Sequence, residues 1–251
     1  MSYLALTFSL IFVLTPIVLS KTLKLELEKD VVIATIRSII QLFIVGYILT
    51  FVFESDHPIF IILMIALMIG AATQNARKKG VQIQGITWKL IVTFLFVEIF
   101  TQAILLGFQI VPTEPQYIIP LTGMVVGNSM VLSILFLNRF IAEVNARRDE
   151  TELILSLGGT PKQAIHTSLI SSMKASMIPT IESQKTIGLV QLPGMMSGQI
   201  IAGADPLQAV QFQLLVLFLL LCTAALTSII LGFLSYPTLF NKRMQMLKIE
   251  K

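Results

Sequence analysis

The sequence predicts an all-α, polytopic membrane protein with seven transmembrane spans, on three observations. Hydrophobic residues make up 55% of the chain and charged residues 13%, with a mean hydropathy of +0.85. That is more apolar surface than a soluble globule can hide. The apolar residues are gathered in runs long enough to cross a bilayer as helices. Nearly all of the 18 Lys and Arg fall in alternate links between those runs and in the C-terminal tail, the pattern of membrane topology and not of a nucleic-acid surface. Nucleic acid is excluded as a partner, and residues 1–251 read as a single membrane domain with a polar segment, 143–178, inside it.

The first run is Tyr3–Ser20. No Lys or Arg precedes it and no small-residue cleavage site follows, so it reads as a retained span and not a secretory signal. Val31–Phe53 is the second span, with Arg37 in its first turns placed to snorkel back to the basic side. It ends at Glu54-Ser55-Asp56-His57. Pro58–Thr73 is the third, followed by Arg77, Lys78 and Lys79, and Ile86–Val111 is the fourth, carrying Glu98 and Gln102 at mid-depth. The fifth, Ile118–Ala142, has Gly123 and Gly127 at small-residue spacing, and Asn128 and Ser129, whose polar groups need inward-facing partners. The sixth, Pro179–Ala209, is apolar but interrupted by Pro193 and by Gly188, Gly194, Gly198 and Gly203. A segment of that kind belongs inside protein or against a cavity. Gly194, Gly198 and Ala202 leave one face without bulk, suited either to close packing or to a translocation path. Leu207–Leu234 is the seventh span, and Lys242, Arg243, Lys248 and Lys251 close the chain.

The links 54–57, 112–117 and 203–206 hold no Lys or Arg and carry Glu54, Asp56, Glu114 and Asp205. By the positive-inside rule the N-terminus is outside and the C-terminus cytoplasmic. In the polar segment, Arg147, Arg148, Asp149, Glu150 and Glu152 lead into LILSL, Gly158-Gly159 stop that helix in a left-handed cap, and Thr160-Pro161 start another. Ile165, Leu169, Met173 and Met177 then recur every four residues. This cytoplasmic helix-turn-helix reads either as a helix lying at the lipid interface or as a docking element for a cytosolic partner.

Glu152 and Gly158 have the spacing of the E-A-A-x3-G coupling loop of ABC-transporter permeases, with Leu153 and Ile154 where that loop has alanines and Pro179 further away than its proline. Together, GMVVGNSM (123–130), RRDETELILSLGGTPKQA (147–164) and IPTIESQKTIGLVQLPGMMSGQIIAGADPLQA (178–209) resemble the FetB-type iron-export permease family, whose plant relatives are half-transporter permeases linked to aluminium tolerance. The resemblance covers nearly the whole chain. It implies a multi-pass permease of the bacterial cytoplasmic membrane that exports iron, supports resistance to oxidative stress, forms a homodimer and pairs with a separate FetA-type ATPase carrying ATP and Mg. The coupling residues it implies are Arg147, Arg148, Glu150, Glu152, Gly158, Gly159 and Pro161. The plant branch is associated with a nucleotide sugar, so cargo varies within the family.

No G-x4-G-K-[ST] loop and no H-E-x-x-H motif is present, and His57 and His166, the only histidines, fall on opposite sides of the predicted membrane. The chain therefore reads as non-catalytic, with no cofactor of its own, against an intramembrane hydrolase as the enzyme-class alternative. Candidates for the translocation path are Glu98, Gln102, Asn128, Ser129, Gln191, Pro193, Gly194, Met195, Gly198 and Gln199. Glu98 and Gln102 lie one turn apart, able either to bond between helices or to meet a cation. Glu54, Asp56 and His57 form a candidate oxygen-plus-imidazole metal site, while Met124, Met130, Met195 and Met196 are soft thioethers or gap-fillers. The alternative from another class is a stand-alone channel or ion-coupled carrier using Glu98.

Overall fold

Proline and glycine punctuate the chain where its helices begin and end. The computed structural model describes residues 8, 10–55, 57–80, 83–241 and 243–247. Its helices are α1 (Ile11–Leu23), α2 (Glu28–Ser55), α3 (Pro58–Lys79), α4 (Ile86–Gly107), α5 (Pro115–Ala146), α6 (Arg148–Ser156), α7 (Pro161–Thr186), α8 (Gly194–Ile201) and α9 (Pro206–Ser235), which runs into a 3₁₀ turn, Tyr236–Leu239. Pro58, Pro115, Pro161 and Pro206 each open a helix, where the missing N–H costs nothing and φ is already set. Among the described residues, five helical segments are long and apolar enough to cross a membrane: α2, α3, α4, α5 and α9 with its 3₁₀ extension. The first predicted span begins in residues outside those described, and its part from Ile11 to Ser20 lies in the thirteen-residue α1.

The chain divides into two units, 1–57 and 58–251. In the first, α1 closes on Lys24 in the left-handed region (φ 53°). Ser20 Oγ donates to Glu28 Oε1 at 3.0 Å and accepts from Leu27 N at 3.0 Å, fixing the α1–α2 turn. Large apolar side chains such as Leu42, Phe43 and Tyr47 stand exposed along α2, as expected of a helix whose solvent is lipid.

In the second unit α5 is central and packs against α3, α4, α7 and α9. One apolar core gathers Phe94, Phe136, Phe140, Ile165, Leu169 and Leu231. A second gathers Val97, Leu105, Leu121, Val125 and Val216. Gly232 is closely surrounded: a Cβ there would stand 2.6 Å from Met173 Cε, 3.0 Å from Leu169 Cδ1 and 3.2 Å from Phe136 Cζ. Nothing in the sequence pattern singles that glycine out.

The boundary expected at residue 178 is not there. α7 continues through Pro179 to Thr186 and runs antiparallel to α9: Gln184 Nε2 donates to Leu217 O at 2.7 Å, Ser176 and Ser228 share a 2.9 Å hydroxyl bond, and Met173 meets Gly232. Proline removes one backbone donor from this helix, and contacts to α9 flank it on both sides, Ser176 with Ser228 before it and Gln184 with Leu217 O after it. The breaks fall later. An Ile187–Gln191 bridge closes a turn on Gly188 (φ +85°), α8 follows for eight residues, and Gly203 (φ +96°) turns the chain into α9. The small faces predicted to bring backbones together also differ: no atom lies within 4 Å of a Cβ built on Gly194, Gly198 or Gly127.

Candidate functional site

A buried carboxylate cluster in the bundle interior is built on α4 and α5. Glu98 is 3% exposed. A charged, unpaired carboxylate at such a position costs on the order of 2.5–3.5 kcal/mol on insertion scales, so its contacts define the site. Glu98 Oε1 accepts from Thr122 Oγ1 at 2.6 Å and from Gln102 Nε2 at 2.9 Å, and Gln102 Nε2 also donates to Thr122 Oγ1 at 2.9 Å. The i, i+4 spacing puts Glu98 and Gln102 on one face of α4, and close packing of α4 on α5 delivers Thr122. Glu98 Oε2 and Gln102 Oε1 are buried without a partner, as is Gln213 Oε1 on α9.

Asn128 and Ser129 also turn inward as expected. Asn128 Nδ2 donates to Leu220 O at 3.2 Å, and Ser129 Oγ accepts from Thr227 Oγ1 at 3.1 Å. Beside them a cleft of about 250 Å³ between α5, α7 and α9 is lined by Asn128, Pro179, Thr180, Ser183 and Gln184. The remaining path candidates are not gathered here. Gln191 is exposed in the turn after α7, Pro193 caps α8, Gly194 and Gly198 face open space, Gln199 is half-buried, and Met195 packs into the second core. Met124 packs into that core too, and Met130 Sδ accepts from Asn75 Nδ2 at 3.2 Å, so the thioethers serve packing. Glu54 and His57 are exposed, and Asp56 lies outside the described residues. Among the described residues no three His, Cys, Asp or Glu side chains form a group that could hold a metal ion.

A second constellation surrounds the turn between α6 and α7. Gly159 N donates to Ile154 O at 2.9 Å and Gly158 N to Leu155 O at 3.0 Å, the paired bonds of a Schellman cap. Gly158 has φ +88°, and a Cβ on Gly159 would lie 2.5 Å from Ile154 Cγ2 and 2.8 Å from Ile154 O, so each glycine is required for a different reason. Thr160 and Gln163 then form a full capping box, and Pro161 opens α7. Arg147 pairs with Glu143 and Glu150, and Arg148 with Glu152 at 2.7 Å. Leu153 and Leu157 are 59% and 80% exposed beside this turn. A groove of about 710 Å³ runs between Glu152, Gly158 and Gly159 on one side and Arg243, Met244 and Gln245 of the C-terminal segment on the other. The start of α7 is pinned to α9 by Lys162 Nζ, 5.9 Å from the centre of the Phe233 ring.

Residues 3–240 match an uncharacterised protein family, UPF0014. The chain belongs to the UPF0014 family. It is 55% identical over the full length of both chains to the UPF0014 membrane protein YjkA of Bacillus subtilis. It is 39% identical to the probable iron export permease protein FetB of Escherichia coli, over 96% of this chain and 93% of FetB. Protein ALUMINUM SENSITIVE 3 of Arabidopsis thaliana is 31% identical over 95% of this chain and 87% of its own. No solved structure matches. The resemblance read from the three motifs is thus shown, and this UPF0014 member is a helical membrane protein. Thr122, Gln184, Gln213 and Gly232 were missed in the sequence. Thr122 is an unremarkable threonine until α4 and α5 are packed, although a buried carboxylate calls for a donor from some other helix.

Proposed function

We propose that this UPF0014 protein is the membrane-spanning, non-catalytic permease subunit of a two-component ABC exporter. It works as a homodimer with a cytosolic FetA-type ATPase that binds ATP and Mg, and iron is its cargo. The FetB relative, named a probable iron export permease protein, supports the cargo. The single observation that carries the mechanism is the Gly158–Gly159 turn, tightly capped on both sides and joined directly to α7. A 26-residue helix is about 39 Å long at 1.5 Å per residue, enough to cross a bilayer. α7 lies beside α9 from Met173 to Gln184, so in this reading α7 is the sixth of seven crossings, between an outside N-terminus and a cytoplasmic C-terminus in the bacterial plasma membrane. Closure of the ATPase dimer pushes on Leu153, Leu157 and the paired Arg148 and Glu152, and α7 carries the displacement into the cleft at Asn128.

Co-expression with the ATPase tests this. Copurification and permease-stimulated ATP hydrolysis are expected, and an ATPase that neither binds nor responds would remove the coupling mechanism. A second reading, a stand-alone ion-coupled carrier, is favoured by one observation, the unpartnered Oε2 of Glu98. It requires transport that persists without nucleotide.

A further inference from the structure

We propose that the outward face of α7 is the seam between two copies of the chain, and that Glu182 and Lys185 of both copies meet there inside the membrane. Glu182 Oε1 accepts from Lys185 Nζ at 2.7 Å, and the two side chains are 59% and 64% exposed. Their depth follows from the neighbouring helix. Gln184, which lies between them in the chain, donates to Leu217 O. Leu217 stands three to four residues before the midpoint of α9 (Pro206–Ser235), about 5 Å along the axis. On the reading of α7 as a crossing, the pair is therefore well within the roughly 15 Å half-thickness of the hydrocarbon layer.

At that depth the two helices present opposite chemistry to their surroundings. α9 shows Leu214 and Phe218, with Ile229 and Phe233 further along. α7 shows Lys174, Ile178, Glu182 and Lys185, spaced four, four and three residues apart and so on one stripe. Lys174 follows Met173, which meets Gly232 near the cytoplasmic end of α9, and can snorkel to the membrane surface. Glu182 and Lys185 are two turns deeper. The α9 face suits lipid, whereas an exposed ion pair set against acyl chains gives up its water and gains no partner. What covers this face must be polar at the same level. A second copy meets that requirement, because a face carrying one acid and one base three positions apart is self-complementary about a two-fold axis: each Glu182 reaches the partner's Lys185, and the reverse. Ser183 and Gln184, which separate the two charges in the chain, line the cleft at Asn128, so the seam borders that cleft. The inference rests on the reading of the chain as a homodimeric permease with α7 as a crossing, and adds where the two copies meet.

The test uses the full-length permease in membranes, with the single native cysteine changed by Cys222→Ser so that one introduced cysteine reports only contact between copies. Ile178→Cys, one turn from Glu182 on the same stripe, should form an interchain disulfide on mild oxidation. Phe218→Cys, on the lipid face of α9, should not. Glu182→Lys and Lys185→Glu each remove the pair within a chain and set like charges against each other across the seam, so each variant alone should dimerise about tenfold more weakly than the parent. Mixed under different tags, the two variants set lysines against glutamates, and capture of one through the other should return to the parent level. Neither chain regains its internal pair in that mixture, so the recovery requires contact between copies and no folding defect imitates it. No disulfide at Ile178→Cys, a disulfide at Phe218→Cys alone, or no preference of the mixed variants over each with itself would each overturn the seam; the first is the result if lipid or the chain's own α2 covers α7. Intact ATPase stimulation without the Ile178→Cys disulfide removes the seam alone. The disulfide together with an unresponsive ATPase removes the ABC reading alone.

Discussion

Gly159→Val puts a branched side chain where a bare Cβ already meets Ile154 Cγ2 at 2.5 Å and Ile154 O at 2.8 Å. The methyl is a β-branch of a helical isoleucine, whose χ1 is stiff, so it gives little. The carbonyl gives less, because it is the acceptor of the Gly159 N–H bond that closes the cap. Opening the turn loses that bond, about 0.5–1.5 kcal/mol, and overpacking adds about 1–3 kcal/mol. The turn is thus weakened by on the order of 1.5–4.5 kcal/mol. Gly158→Ala meets no atom and pays only for φ +88°, about 1–2 kcal/mol, so it should be the milder change. α6 buries only Thr151, and the α5–α7–α9 core does not depend on the turn, so the loss should stay local. Spin labels on the exposed positions Ser156 and His166 should give a narrow distance distribution in the parent and a broad one in Gly159→Val. The same variant should insert, dimerise and fail to stimulate the ATPase. A narrow distribution with full stimulation would refute the argument that this cap aims α7.

Three further outcomes are expected. Gly232→Ala should lower bundle stability by about 1–3 kcal/mol, seen as a reduced melting temperature, because the new methyl would meet Met173 Cε at 2.6 Å, Leu169 Cδ1 at 3.0 Å and Phe136 Cζ at 3.2 Å, and of these only the Met173 end is flexible; unchanged melting would mean that α7 and α9 lie further apart. Thr160→Ala removes the cap that accepts Gln163 N and should cost about 0.5–2 kcal/mol, read as faster amide exchange confined to the first turn of α7; uniform exchange changes would contradict it. Ser55→Cys should react with an impermeant thiol reagent from outside and Ser156→Cys only from the cytoplasmic side; the opposite pattern would reverse the topology.

The punctuation of the chain was legible because it depends on single residues. Gly158 and Gly159 end α6, and Thr160-Pro161 begin α7, as their side-chain chemistry requires. The inward aim of Asn128 and Ser129 was legible too, since polar groups in an apolar helix must find partners. α7 was misread because hydropathy averages around a helix: Ser168, Ser172 and Ser176 make it polar on the very face that it buries. A stripe of serines can be buried because the carbonyls of its own helix accept their hydrogens, as Ser168 O does for Ser172 and Met173 O for Ser176, while Ser228 of α9, which also meets Ser176, lies outside any local sequence window. Glu98 and Gln102 could be paired from their spacing alone. Thr122, 24 residues from Glu98, and Gly232 become meaningful only through contacts between helices, which a period in one helix does not contain.

The central claim is that this UPF0014 chain moves iron at the expense of ATP hydrolysed by a partner. Proteoliposomes holding the permease and the ATPase, with ferrous iron on the ATPase side, ion gradients clamped and a metal-sensing dye inside, measure it directly. Dye response that requires ATP, is abolished by Gly159→Val and is reduced by Glu98→Gln is the predicted result. Iron movement that continues without nucleotide and follows an imposed ion gradient would contradict the account and leave the stand-alone carrier in its place.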